Sequence, residues 1–73
     1  MIEQIKTTAV QLADAFIRDE DEFEKEYEDI KNDKYISIIS KLAQLYYNIK
    51  VGIVSRRDAV KIQNRILDEL EVV

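Results

Sequence analysis

Proline is absent from this chain, and glycine occurs once, at Gly52, in 73 residues. Turns and loops usually draw on these two residue types, so the connections between secondary-structure elements should be few and short. The chain is instead rich in Glu, Lys, Ile, Leu, Ala and Gln. We therefore expect an all-α fold, a small bundle of three principal helices that ends in a helical hairpin. A break near Asp19–Asp21 would add a fourth, short, acidic helix.

The strongest helical pattern lies between residues 34 and 50. Seven apolar or aromatic residues recur there at steps of three and four and fall within roughly 120° of arc: Tyr35, Ile38, Ile39, Leu42, Leu45, Tyr46 and Ile49. Ile36, Ala43 and Tyr47 widen the arc to about 200°. A helix that packs against a single neighbour needs an apolar arc of only about 100°. The helix should therefore contact two neighbouring helices, or one helix and a partner molecule.

The remaining helices follow from similar patterns, and we expect one domain over residues 1–73. The predicted helices cover residues 2–18, 22–31, 34–50 and 56–71. Asp21 and Asp33 are the expected N-caps of the second and third helices, and Ser55 that of the last. Gly52 fits the left-handed residue that ends a helix. Val73 could extend the apolar side of the last helix.

Charge is strongly segregated along the chain. Residues 1–30 contain ten acidic residues and three basic ones, whereas residues 31–65 contain eight basic residues and two acidic ones. Three further acids lie between 68 and 71. The two charged regions could pair within one chain, or the acidic region could meet the basic region of another copy.

Several classes of function lack the residues they need. Without cysteine or histidine there is no thiol nucleophile, imidazole base or usual transition-metal site. Asp19 and Asp21 match the start of a calcium loop, but Glu24 stands where that loop needs glycine, and Ile30 replaces its bidentate acid. No glycine-rich phosphate loop is present. We expect no enzyme, metal, cofactor or small-molecule substrate.

The leading hypothesis is therefore a non-enzymatic protein–protein interaction module. It would act as a homodimer or as a small regulatory or inhibitory protein on another protein. The surplus part of the wide apolar arc, Ile36, Ala43 and Tyr47, is the candidate interface. Tyrosine suits such a surface because it combines a large apolar body with a polar tip.

The acidic segment supports a second hypothesis, a DNA mimic that inhibits a nucleic-acid enzyme. Its candidate contacts combine carboxylates with interleaved aromatic rings, which often anchor interfaces: Glu20, Phe23, Glu24, Tyr27 and Glu28. A charge run is more often a solvated helix face.

A third hypothesis is weak, helix-turn-helix-like binding of nucleic acid. Arg57, Lys61 and Arg65 share one stripe of the last helix, after a turn that contains Gly52. The pI near 4.7 and Asp58, at a position where that motif needs an apolar residue, argue against it. Nucleic acid is therefore not the expected partner.

The expected location is the cytoplasm. No apolar run approaches the roughly 18 residues that span a membrane, and the N-terminal residues lack the pattern of a signal peptide. The abundance of Ile, Lys, Asn and Glu is typical of an AT-rich bacterial genome, and it would also fit a phage or another mobile element.

Overall fold

The computed structural model describes residues 2–70, which form four α-helices and a final 3-10 turn and contain no strand. The helices are α1 (Ile2–Arg18), α2 (Glu20–Ile30), α3 (Ile36–Lys50) and α4 (Arg56–Leu67), and the turn is Asp68–Leu70. The all-α bundle is confirmed, in its four-helix form. α4 ends at Leu67 and gives way to the 3-10 turn, so the predicted α-helix to residue 71 was too long. Residue 71 and the packing of Val73 lie outside the described residues.

The main packing order is α2 against α1, α1 against α3, and α3 against α4. The folded chain measures 32 × 30 × 15 Å along its principal axes. Its core comes from α1 and α3: Ile5, Ala9, Leu12, Ile39, Leu42 and Ala43. α3 thus has two neighbours, which accounts for its wide apolar arc.

Asp19 separates α1 from α2. It has an extended conformation (φ −166°, ψ 131°), and its Oδ1 accepts a hydrogen bond from the N–H of Asp21 at 3.0 Å. The predicted cap at Asp21 was therefore wrong by two residues. Asp19 satisfies an otherwise unpaired donor of the first turn, as N-cap carboxylates do. α2 starts at Glu20, with no linker after α1.

The segment before α3 is a turn, and α3 starts later than predicted. The carboxylate of Asp33 accepts a hydrogen bond from the N–H of Tyr35 at 2.8 Å. This local bond folds the chain into a side-chain-stabilised turn. α3 begins at Ile36, and its N-cap Tyr35 makes no side-chain capping bond. Asp33 therefore shapes the turn and does not cap the helix.

The connection between α3 and α4 follows the sequence closely. Gly52 has a φ of 82°. Its N–H donates to the Ile49 carbonyl at 3.1 Å, and the N–H of Ile53 donates to the Asn48 carbonyl at 2.9 Å. These two bonds form a Schellman motif. Ser55 then caps α4, because its Oγ accepts a hydrogen bond from the N–H of Asp58 at 3.2 Å.

Candidate functional site

Four aromatic rings from three helices form a continuous row, which we call the aromatic row: Tyr47, Phe16, Phe23 and Tyr27. The ring of Phe16 meets that of Tyr47 at 5.0 Å between centroids and that of Phe23 at 5.1 Å, both nearly edge-on. Phe23 and Tyr27 are stacked at 6.2 Å. Edge-on and offset-stacked pairs are the favoured arrangements of aromatic rings.

The break at Asp19 is what brings these rings together. Phe16 lies on the last turn of α1, and Phe23 lies on the first turns of α2. A continuous helix would place them on nearly the same face but about two turns apart, roughly 10 Å along the axis, which is too far for ring contact. The change of direction at Asp19 instead lets α2 pack against α1, so the two rings are in contact.

The aromatic row lines a groove of about 340 Å³ between α1, α2 and α3. Leu12 and Ala43, both buried, form its floor. Ser40 and Gln44 of α3 line it with exposed polar side chains. Two of the rings are well exposed, Phe16 to 47% and Tyr27 to 40%. The groove is thus an open apolar surface rather than part of the core.

The acidic side of α2 borders the same aromatic residues. Glu24 and Glu28 line an adjoining concave surface together with Phe23 and Tyr27. Glu20 precedes Glu24 by one turn and continues that stripe. α2 contains no buried residue. Its carboxylates are therefore solvated side chains beside an apolar groove.

The three residues of the candidate interface have different environments. Ala43 is buried in the core and does not belong to an exposed stripe. Tyr47 is half-buried, against Phe16. Ile36 is half-buried at the start of α3 and does not line the groove. The groove thus includes Ala43 and Tyr47 together with Phe23 and Tyr27 of the predicted acidic contact.

Phe16 was not identified from the sequence as part of a candidate site. The sequence did offer one indication of its role. An aromatic residue two positions before the predicted end of the first helix at Arg18 lies where the next helix can contact it. The cap at Asp19 allows a change of helix direction there, and in the structure this change places the ring of Phe16 next to that of Phe23.

Within residues 2–70, two ion pairs join the acidic region 1–30 to the basic region 31–65: Lys50 with Asp14, and Lys31 with Glu28. The acids of α2 that form ion pairs do so with close sequence neighbours: Glu22 with Arg18 at 3.1 Å, and Glu28 with Lys31 at 2.7 Å. The Glu28 carboxylate raises the pKa of the Lys31 ammonium. No ion pair in this part of the chain joins α2 to α4.

The predicted basic contact lies apart from the groove. Arg57, Lys61 and Arg65 are exposed on α4. α4 packs on α3 near Leu45 and Ile49. Leu45 lies about 200° around α3 from Ala43, which forms the groove floor. The basic stripe and the aromatic groove are therefore on opposite sides of α3.

The described residues show little that could hold a metal ion or a polar small molecule. No group of three or more acidic residues converges as a metal site within residues 2–70. None of the polar or charged side chains described is buried. None of the helices in residues 2–70 is long and apolar enough to cross a membrane.

In comparisons with protein-family models, curated proteins and solved structures, no match to this chain was found.

Proposed function

We propose that this protein is a non-enzymatic protein–protein interaction module whose docking site is the aromatic groove. The observation that carries the proposal is the exposure of Phe16 and Tyr27 beside a floor formed by Leu12 and Ala43. Aromatic side chains contribute most to protein interfaces when a partner covers them and excludes water.

The groove suits a protein segment better than a small molecule. Small-molecule sites combine apolar walls with a few buried polar groups that fix the orientation of the ligand. Here the polar lining residues Ser40 and Gln44 are exposed, and Gln44 already donates a hydrogen bond to Asn48 at 3.0 Å. The groove therefore offers a ligand mainly apolar contact over an open surface. Contact of this kind is typical of helical modules that bind other proteins.

The test compares two truncations of exposed apolar residues. Tyr27→Ala removes a groove residue that is 40% exposed, and Val60→Ala removes an α4 residue that is 56% exposed. Proteins captured by the immobilised chain from its source cell are identified, purified and titrated against each variant. We expect Tyr27→Ala to weaken binding about tenfold, the effect of losing one interface anchor, and Val60→Ala to leave it unchanged.

Self-association is tested in parallel by sedimentation at low and high protein concentration. Partners that bind both variants as tightly as the unaltered chain, together with a monomer at every concentration, would rule out the groove as a docking site.

A second proposal, the acidic DNA mimic, is favoured by one observation. α2 exposes all seven of its carboxylates and buries none of its residues. A mimic would depend on charge and not on the rings. Reversal of Glu20, Glu24 and Glu28 to Lys should then abolish inhibition of a nucleic-acid enzyme, whereas Tyr27→Ala should leave it intact. If Tyr27→Ala abolishes the activity and the three charge reversals do not, the result supports the aromatic groove as the binding site.

A further inference from the structure

We infer that the occupant of the aromatic groove is a basic amphipathic helix of a different protein. This inference rests on the proposed function and names the chemistry of the partner. It follows from the charge beside the groove, the spacing of its lining residues and the position of α4.

The charge beside the groove selects a basic partner. α2 carries seven acidic residues and one basic residue, Lys25. Glu24 and Glu28 line a concave surface next to the groove, together with Lys25, Phe23 and Tyr27. A ligand that covers these two rings and extends along α2 therefore lies next to both carboxylates. Lysine or arginine beside the apolar anchors of a partner would gain this attraction, whereas an acidic segment would be repelled.

The spacing of the lining residues selects a helix. Phe23 and Tyr27 are separated by one turn of α2, and Ala43 and Tyr47 by one turn of α3. Side chains at steps of four form the ridges between which the ridges of another helix pack. A partner helix with apolar residues at steps of three and four would match both walls, as in other helix-in-groove complexes.

A second copy of this chain fits the groove poorly. If a two-fold axis ran across the groove, two α2 helices would face each other, and like charges in contact oppose association. If it ran along the groove, α2 would face the α3 wall, whose lining residues carry no positive charge to attract its carboxylates. The basic stripe of α4 has the right charge, but it lies on the opposite side of α3 from the groove. Its insertion into a second copy would be head-to-tail, and such a contact leaves a free groove and a free α4 at the two ends unless the rotation between copies closes a ring.

The probe is a synthetic peptide of Leu, Lys and Ala, about 18 residues long, which is enough to form a helix. Leucines recur at steps of three and four, with lysines on both flanks. The comparison peptide has glutamate in place of every lysine. We expect the lysine peptide to bind one-to-one by calorimetry and to gain helical circular dichroism, and the glutamate peptide not to bind.

Two charge-neutralised variants separate the groove from general attraction to an acidic surface. Glu24→Gln with Glu28→Gln removes two charges beside the groove, one of which is paired with Lys31. Glu22→Gln with Glu26→Gln also removes two charges from α2, one of which is paired with Arg18. Glu22 and Glu26 lie on the other side of the Phe23–Tyr27 stripe. They do not line the concave surface that Glu24 and Glu28 share with these rings.

We expect the first pair of substitutions to weaken the lysine peptide about fivefold or more at low salt, as two lost charge contacts would, and the second pair to have a smaller effect. Tyr27→Ala should weaken it about tenfold without changing the charge. The inference is overturned if both peptides bind alike, if the two neutralised pairs weaken binding equally, or if the peptide binds without becoming helical.

The result also separates this inference from the proposed function. If the protein forms oligomers at high concentration and Tyr27→Ala makes it monomeric, the groove binds a second copy. That result would overturn this inference and leave the proposed function intact. The same holds if captured proteins depend on Tyr27 while the lysine peptide does not bind. Captured proteins that do not depend on Tyr27 would overturn both.

Discussion

The ring of Phe16 meets the ring of Tyr47 edge-on, with 5.0 Å between centroids and an interplanar angle of 86°. This contact joins the end of α1 to the last turns of α3 and continues through Phe23 into α2. Phe16 is therefore half exposed and yet in contact with two other rings. It has a part in stability as well as in the proposed docking surface.

Phe16→Ala should destabilise the fold more than its exposure suggests. Ile17, its neighbour on α1, is 46% exposed against 47% for Phe16, but it belongs to no aromatic row. Because Phe16→Ala removes two ring contacts, we expect it to lower the free energy of unfolding of the protein by about 1–2 kcal/mol more than Ile17→Ala does. Urea denaturation of both variants measures the difference, and equal losses would contradict an energetic role for the row.

The sequence was sufficient to predict the helical class, the span of α1 and the α3–α4 connection. These features depend on local chemistry, such as the left-handed conformation of Gly52 and the side-chain cap of Ser55. The same reasoning indicated that α3 needs two neighbours, because its apolar arc is too wide for one. It did not show which side of the arc each neighbour covers, and Ala43 was therefore assigned to the surface although it is buried.

The aromatic row could not be predicted, since it depends on the angle between two helices. Asp19 and Asp21 are both acceptable N-caps, and the choice of Asp19 over Asp21 sets where α2 starts. A shift of two residues rotates α2 by about 200° relative to α1. That choice decides whether Phe23 contacts Phe16 or points into solvent. Tertiary packing determines the choice, and the local sequence does not.

Asp19→Ala should weaken α2 specifically. The Asp19 carboxylate accepts a hydrogen bond from the N–H of Asp21. α2 packs on α1 through Phe23, but it buries no residue and repeats acids at one-turn spacing, so its first turn depends on the cap. Loss of an N-cap costs about 1 kcal/mol, so amide hydrogens of α2 should exchange faster while those of α3 change little. Hydrogen exchange followed by mass spectrometry resolves the two helices.

Asp21→Ala is the matched control for that substitution. It removes an acid of the same type from the first turn of α2 but leaves the capping bond in place. Its effect on exchange in α2 should be smaller than that of Asp19→Ala. A larger effect would mean that Asp21 caps the helix in solution.

Gly52→Ala should destabilise the hairpin through the backbone alone. Gly52 has a φ of 82°, and a Cβ atom built there would meet nothing within 4 Å. The loss should therefore be about 1–2 kcal/mol, the cost of holding an L-residue in the left-handed region. Gly52→Asn should lose less, because asparagine adopts this region more readily. Thermal unfolding of both variants checks the order, and an unchanged melting temperature for Gly52→Ala would contradict it.

Tyr46 should make the fold less stable at high pH. Burial raises the pKa of its hydroxyl above the usual value, and the negative charge of Glu3 adds to the effect. Below pH of about 10, the usual tyrosine pKa, both the folded and unfolded states keep the proton. Above it the unfolded state loses the proton first, so the folded state binds more protons and the free energy of unfolding falls as the pH rises.

Tyr46→Phe removes this titration and should flatten the alkaline decline relative to the unaltered protein. At neutral pH it should cost about 0.5–1.5 kcal/mol, because the Tyr46 hydroxyl donates a hydrogen bond to Gln63 Oε1 at 2.6 Å. Gln63→Leu removes the same hydrogen bond but keeps the hydroxyl, so it should retain the alkaline decline. Urea denaturation of the three proteins between neutral and alkaline pH distinguishes the two contributions, and parallel curves for Tyr46→Phe and the unaltered chain would exclude the titration of Tyr46 as their cause.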